Sequence, residues 1–446
     1  MNIGYKLSYT VLINIILVLL AMGTSILIGR MLNPEGMGYY KYIVTVAATI
    51  AMFSCYGLNE MLNVKLAKSE IKMSDYLVSA LVGIVPVFLV LGSVIFYFLF
   101  YRENMADKPL VIIALGYCLF YLLNMIFQQT ILSMDKLIKY QLFEMSKQFI
   151  FLVGAVVLYF LHKLSIINLF MVLIFANSIA IIYVGYLFFS PAFAPPQNMR
   201  GENDSSSVGR KGRGRLVYSR SLFKNSFQAY INHVLTFMTT RVDIFLLKLF
   251  VSLGYFELGL YTLALTLVEK LWLIPDSVRS VLYLELMNHR RGDDFVARLL
   301  RLITTFAVIA SVAAVLLSIF LLPLVFGEKF RGSILPFLLL LPGAMFFCFV
   351  KVLGTYFVFR DILVINTYMT IIIACVNIIF CMILIPKYSY FGAAIAKSIA
   401  YIFGSIYHLN KFRHVSNIPT RDLLIVKKED FSLVKSFFKK QQEKGY

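Results

Sequence analysis

Apolar runs close to the twenty residues that a helix needs to cross the hydrocarbon core of a bilayer recur along this chain, roughly twelve in all. In order they are Leu7 to Met31, Met37 to Leu62, Tyr76 to Tyr101, Pro109 to Leu132, Phe143 to Leu161, Ile166 to Ser190, Lys224 to Phe250, Leu258 to Met287, Ala297 to Val325, Ser333 to Leu353, Ile362 to Ile385 and Phe391 to Leu409. With 60% hydrophobic and 15% charged residues over 446 positions, the chain has too little polar surface to cover itself in water. The runs therefore predict an all-α polytopic membrane protein of about twelve transmembrane helices. No N-terminal cleavage pattern precedes the first run, which is expected to stay as a helix.

The stretch from Ile28 to Tyr42 is a polar, turn-forming hinge between the first two runs. Asn33-Pro34 and the nearby glycines break any helix there, so the two runs are expected to pair antiparallel. An echo follows. Gly254 to Tyr261 repeats the Glu, Gly and Tyr order 221 to 222 positions later, again between two apolar runs. Ser133 to Ile138 pairs with Phe359 to Leu363, and Leu161 to Lys163 with Ile385 to Lys387, at nearly the same spacing. A constant offset across three punctuation marks predicts two copies of one membrane unit. Each copy holds an even number of spans, so both enter from the same side. They are then two six-helix bundles, parallel repeats about an axis along the membrane normal.

Lysine and arginine placement orients the chain. With a cytoplasmic N-terminus, the inner loops carry Lys65, Lys68 and Lys72, then Lys136 and Lys139, then Arg200 through Arg220, then Arg290, Arg291 and Arg298, while the outer loops carry few such residues. Both termini are thus expected inside. The net charge of +19 is absorbed by this asymmetry, and nucleic-acid binding needs no place. The five cysteines all fall within apolar runs, which fits neither a disulfide framework nor a metal site. No His-Glu-x-x-His pattern, nucleophile elbow or Walker loop is present, so no enzymatic activity and no cofactor are expected.

Four segments follow from composition. They are an N-terminal six-helix bundle over 1–190, a basic flexible cytoplasmic linker over 191–221, a C-terminal six-helix bundle over 222–410, and a cytoplasmic amphipathic tail over 411–446. The linker passes from prolines through Gly-Glu-Asn-Asp-Ser-Ser-Ser to Arg210-Lys-Gly-Arg-Gly-Arg215, with nothing to bury. In the tail Phe431, Val434 and Phe438 share a face flanked by lysines, the pattern of a helix lying on a membrane surface.

Polar residues inside the spans mark the candidate site. The first run carries Asn14 and Ser25 but no acidic residue. In the second, Tyr42, Thr45, Thr49, Tyr56, Asn59 or Glu60, and Asn63 recur at helical steps, a stripe suited to interhelical hydrogen bonds or to a wet cavity. The seventh run holds Gln228, Asn232, His233, three threonines, Arg241 and Asp243. Its apolar residues gain roughly 4 to 7 kcal/mol on insertion, and Arg241 and Asp243 near mid-helix cost roughly 5 to 7 kcal/mol. This span therefore needs neighbours or water along its polar side. In the eighth run Thr262, Thr266, Glu269, Asp276, Ser280 and Tyr283 form a second stripe, with Thr266 matching Thr45 across the repeat. Glu269 reads either as a buried partner of Arg241 or as a transport residue. Asp276 with Arg279, and Glu144 with Lys147, read as local ion pairs, and Lys351 as a snorkelling lysine.

The hinge from Gly29 to Tyr40, Asp243 with the Gly254 to Tyr261 echo, the Leu322 to Phe330 segment and the Pro386 to Ala396 turn together resemble the polysaccharide flippases. These are the Wzx-type O-antigen and capsule exporters of the multidrug/oligosaccharidyl-lipid/polysaccharide (MOP) exporter superfamily. The resemblance implies a V-shaped pair of bundles in a bacterial cytoplasmic membrane, moving a polyprenyl-diphosphate-linked oligosaccharide from inner to outer leaflet by alternating access. It implies partners among membrane lipids and other polysaccharide-assembly membrane proteins. On this reading Arg241 meets the diphosphate, and Asp243 and Glu269 hold it or take up a coupling proton or sodium ion. Thr45 and Thr266 line the cavity, and Tyr56 and Trp272 either stack on sugar rings or pack internally. The rivals are a cation-coupled multidrug exporter of the same superfamily, a peptidoglycan-precursor flippase, and an embedded glycosyltransferase or polymerase. The missing carboxylate in the first run, the missing extra helices and the lack of a large outer loop weigh against them in turn.

Overall fold

The computed structural model describes residues 3–67, 70–71, 73–102, 108–133, 137–163, 165–189, 220–251, 254–272, 275–276, 282, 292–419, 421–424, 426–427 and 430. Residues 191–219 of the expected linker, Arg279, Ser280, Tyr283 and the tail residues Phe431, Val434 and Phe438 lie outside the described residues. Among the described residues all regular structure is helical. The first half comprises α1 Ile3–Cys55, α2 Leu58–Ala67, α3 Met73–Arg102, α4 Lys108–Ser133, α5 Leu137–Phe160 and α6 Ile166–Phe189. The second comprises α7 Arg220–Thr240, α8 Val242–Phe250, α9 Phe256–Lys270, α10 Asp293–Phe326, a 3₁₀ turn Glu328–Ser333, α11 Ile334–Phe359, α12 Leu363–Ser416 and α13 Arg421–Leu424.

Two of these helices are too long to be single spans. At 1.5 Å per residue the 53 residues of α1 and the 54 of α12 would each run about 80 Å, against a hydrocarbon core of about 30 Å. Each is divided by one residue with positive φ. Asn33 in α1 has φ 59° and ψ 174° because the following Pro34 bars it from the helical region and then starts the next helix. Ser389 in α12, three residues after Pro386, has φ 50°. Both breaks fall in the punctuation that the sequence predicts.

Two further breaks are not in the sequence reading. The second run is interrupted at Tyr56 and Gly57, both with positive φ, so the helix ends at Cys55 and restarts at Leu58. The seventh run is interrupted at Arg241, which separates α7 from α8. Arg241 and Asp243 therefore sit at the junction of two helices and not in the middle of one continuous helix.

The chain forms two compact units. One comprises residues 20–27 and 42–234, the other residues 1–19, 28–41 and 235–446. In the first, α4 packs on α5 and α6, and α2 packs on α3 and α4. Tyr76 is fully buried there and donates to Asn59 Oδ1 at 2.6 Å. The expected Glu144–Lys147 ion pair forms at 2.8 Å. In the second unit α11 is the central helix, packed on α12, α10 and α9. The four segments that carry the family resemblance meet here. Arg30 of the hinge donates to the Val325 and Leu324 carbonyls at 2.7 and 2.6 Å, Lys329 donates to Asn33 Oδ1 at 2.9 Å, and Ser389 donates to Glu257 of the echo. After α12, the chain turns back on α10, where buried Arg301 donates to both carboxylate oxygens of Asp430 at 2.6 Å and to the Asp422 carbonyl at 2.7 Å.

Candidate functional site

The site in the second unit grows out of the break between α7 and α8. Thr239 and Thr240 end α7 by turning their hydroxyls back onto the Leu235 and Thr236 carbonyls, at 2.8 and 2.7 Å, a habit that bends helices. Arg241 follows with φ −131° and ψ −13°, outside helical geometry. Asp243 then lies in the first turn of α8, where the helix dipole favours a carboxylate.

Breaking the helix frees the last carbonyls of α7. Lys397 from α12 takes one of them. Its Nζ donates to the Thr240 carbonyl at 2.8 Å and to the two Asp243 oxygens at 3.0 and 2.9 Å, with both side chains fully buried. Tyr261 of α9, also fully buried, donates its hydroxyl to Asp243 Oδ2. Asn377 donates to the Met238 carbonyl at 3.4 Å. A buried ammonium and carboxylate survive inside a membrane protein only when paired and hydrogen-bonded in this way.

A second, more exposed layer lies beside it. Arg241 reaches Glu269 of α9 at 3.3 Å, with the two side chains 42% and 28% exposed. Lys41, at the end of the hinge, feels the charges of Glu269, Arg241 and Lys270. Deeper in the unit, the Trp272 indole donates to the Ala344 carbonyl at 3.2 Å, and its ring packs on Phe347 and Tyr401 at centroid distances of 4.9 and 5.8 Å. Trp272 is thus held as a buried packing residue. Asp276 pairs with Lys351 at 2.9 Å, and Lys351 also lies 5.0 Å from the Trp272 ring. Asp276 thus has a partner far along the chain, and Lys351 is an ion-pair partner two turns before the end of its helix, while the expected partner Arg279 lies outside the described residues.

The structure brings Arg241, Asp243 and Glu269 together, with Thr266 one turn before Glu269. Thr266 is half-buried and donates to the Thr262 carbonyl at 2.7 Å. In the other unit, Thr45 accepts at its carbonyl from Thr49 at 2.7 Å, and Tyr56 lies half-buried at the positive-φ turn. That unit also holds its own polar cavity of about 230 Å³ between α4, α5 and α6. Amides from Asn124, Gln128, Gln148 and Asn177 line it, together with Glu144 and Lys147.

Lys397 is the residue that sequence reasoning missed. It stands in Gly392-Ala-Ala-Ile-Ala-Lys397-Ser-Ile-Ala, a lysine in mid-span flanked on both sides by small and apolar residues. That isolation was the available signal, because an intramembrane charge demands a named partner.

A family model described as "Polysaccharide biosynthesis protein" matches residues 3–275. Among solved structures, the lipid II flippase MurJ in an inward closed conformation superimposes with a TM-score of 0.71 at 14% identity, over 99% of this chain and 93% of that one. An inward-facing multidrug resistance MATE family transporter of the MOP superfamily gives 0.63 at 12% identity, over 90% of this chain and 94% of that one. A MOP superfamily transporter from Pyrococcus furiosus gives 0.61 at 12% identity, over 93% and 96%. At these identities the likeness is one of fold. A comparison with curated protein sequences finds no match.

Proposed function

The chain belongs to the polysaccharide biosynthesis protein family, and on that membership we propose that it is a flippase for a polyprenyl-diphosphate-linked oligosaccharide repeat unit. It carries that unit across a bacterial cytoplasmic membrane by alternating access, for surface polysaccharide assembly. The chain is a multi-pass membrane protein of the MOP exporter superfamily, and the substrate is the step added here.

The observation that carries the proposal is the charge balance around Glu269. Lys41, Arg241 and Lys270 lie within electrostatic reach of one another, and Arg241 keeps 42% of its side chain exposed. A partly exposed cluster rich in cations lowers the cost of bringing a diphosphate into a region that repels anions, and a guanidinium matches phosphate oxygens in pairs. An exporter of organic cations would want the opposite sign. The amide-lined cavity of the other unit adds a second polar surface, of the chemistry that pairs with sugar hydroxyls. Arg241 then meets the diphosphate, and Glu269 orients the guanidinium and serves as the exposed carboxylate through which a proton or sodium gradient would act. Both termini are cytoplasmic in this scheme, and neighbouring assembly proteins of the same membrane deliver and receive the cargo.

The test is replacement of Arg241 by Gln in the native host, with membrane insertion verified. The proposal requires loss of surface polysaccharide and build-up of lipid-linked oligosaccharide on the inner leaflet. Normal surface polysaccharide in correctly inserted protein would remove it. Loss of cell-wall precursor export instead would move the cargo to peptidoglycan.

A further inference from the structure

The gap between α7 and α8 is shaped like a cation site. The helix ladder stops at Arg241, so the carbonyls of Met238 and Thr240 lose their partners, and they carry the negative end of the α7 dipole. Asp243 adds a full negative charge at the start of α8, and it is completely buried. A broken intramembrane helix whose free carbonyls face a carboxylate is the arrangement in which membrane transporters seat a coupling sodium ion or proton.

Here the seat is taken. The Lys397 ammonium has three donors. It spends them on the Thr240 carbonyl at 2.8 Å and on the two Asp243 oxygens at 3.0 and 2.9 Å, with none of the side chain exposed. The groups around it are oxygen-rich. Tyr261 donates to the same carboxylate from α9, and Asn377 from α12 secures the Met238 carbonyl and accepts from Cys381 at 3.5 Å.

We propose that Lys397 is a tethered cation: its ammonium occupies, permanently, a seat built for a small exchangeable cation, and removing it turns Asp243 and the Thr240 carbonyl into a sodium or lithium site. Two consequences follow. Asp243 keeps its cation through the transport cycle, so a gradient drives this protein, if at all, through another group. And the α7–α8 break is held closed by the chain itself and not by the ionic composition of the medium. The first consequence rests on the transport reading; the seat and its occupant do not.

The test uses the full-length protein purified in detergent, with thermal unfolding followed in sodium, lithium or choline chloride at equal ionic strength. The wild type is expected to unfold at the same temperature in all three. Lys397→Ser, kept in sodium from extraction onward, is expected to unfold early in choline. Sodium or lithium should restore it, with a saturable dependence on cation concentration as linkage requires. The double variant Lys397→Ser with Asp243→Asn is expected to show no cation response, which would place the response at Asp243. Three results would overturn the proposal. One is a wild type stabilised by sodium over choline in a way that Asp243→Asn abolishes. Another is a Lys397→Ser protein equally stable in sodium and choline, and the third is a Lys397→Ser protein that cannot be recovered folded in either. No cargo enters these measurements, so a failure of polysaccharide export with the cation result intact strikes the flippase reading alone.

Discussion

Gly38 and Gly259, equivalent positions of the two sequence copies, lie backbone against backbone. A side-chain carbon on Gly38 would come within 2.0 Å of the Tyr255 carbonyl oxygen, and one on Gly259 within 1.8 Å of the Pro34 carbonyl oxygen. The contact is reciprocal. Pro34 and Tyr255 stand at the same offset as the two glycines, so residue for residue each copy presents to the other what it receives. Such self-complementary contact is what a two-fold axis imposes on the residues beside it. The repeat inferred from spacing is thus expressed in packing, at least where the hinge meets its echo.

Replacing either glycine by alanine should therefore be costly. Relief of so close an overlap demands backbone movement, and overpacking of this kind costs about 1–3 kcal/mol or more. Gly38→Ala and Gly259→Ala are expected to lower the unfolding temperature in detergent or to abolish monodisperse protein. Gly92→Ala, where nothing lies within 4 Å, should be neutral or slightly stabilising.

Arg241 should separate transport from stability. Its pair with Glu269 is partly exposed and 3.3 Å long, so its loss should change folding stability by only about 0–1 kcal/mol. Arg241→Ala is expected to unfold near the wild-type temperature while surface polysaccharide falls roughly tenfold or more, in line with the loss of one desolvated phosphate contact. Arg241→Lys should recover part of the export, since it keeps the charge and loses the paired geometry. A parallel fall in stability and export would assign Arg241 a structural role.

The buried pair of Asp243 and Lys397 should behave in the opposite way. Removing one partner of a fully buried ion pair strands the other and costs about 3–5 kcal/mol, whereas replacing both by neutral groups costs far less. In choline chloride, Asp243→Asn and Lys397→Met are each expected to unfold much earlier than the wild type. The double variant should be more stable than either single one, as a double-mutant cycle on thermal unfolding would show.

The clasp between Arg301 and Asp430 carries a pH dependence of definite sign. The Arg301 guanidinium beside Asp430 holds its carboxyl below the usual carboxylate range. A carboxylate depressed in the folded state contributes stability above its unfolded pKa of about 4 and loses it as pH falls through the lower folded value. Hydrogen exchange at the Asp422, Lys427 and Asp430 amides is therefore expected to stay slow from neutral pH down to mildly acidic conditions and to rise only below about pH 4. Asp430→Asn should release the segment already at neutral pH.

The large outlines of the fold were legible because they follow from solvation. Among the described residues the apolar runs reappear as helices, the Asn33-Pro34 break and the Pro386 turn as kinks, and the Gly254 to Tyr261 echo sits against its original. The breaks at Tyr56–Gly57 and Arg241 were not legible, since neither carries a proline. The Thr239 and Thr240 hydroxyls turn back onto the Leu235 and Thr236 carbonyls, and Lys397 answers the Thr240 carbonyl at the break, neither of which the local sequence announces. Long-range partners were hidden for the same reason. Nothing within a turn of Asp276 names Lys351, and nothing near Asp243 names Lys397. Of the candidate site, the local triplet of Arg241, Asp243 and Glu269 was readable, and the residue that neutralises its centre was not.

The distance along the chain between Asp243 and Lys397, 154 residues, has a meaning for biosynthesis. At about 5–20 residues per second, a ribosome delivers the lysine roughly 8–30 s after the aspartate. Until then α7 and α8 enter the bilayer with the Asp243 carboxylate lacking its counter-charge and the Thr240 carbonyl lacking its donor. The last long helix is consequently the keystone of this half, and a nascent chain stalled before it should be recognised as unfinished by the proteases that patrol the membrane.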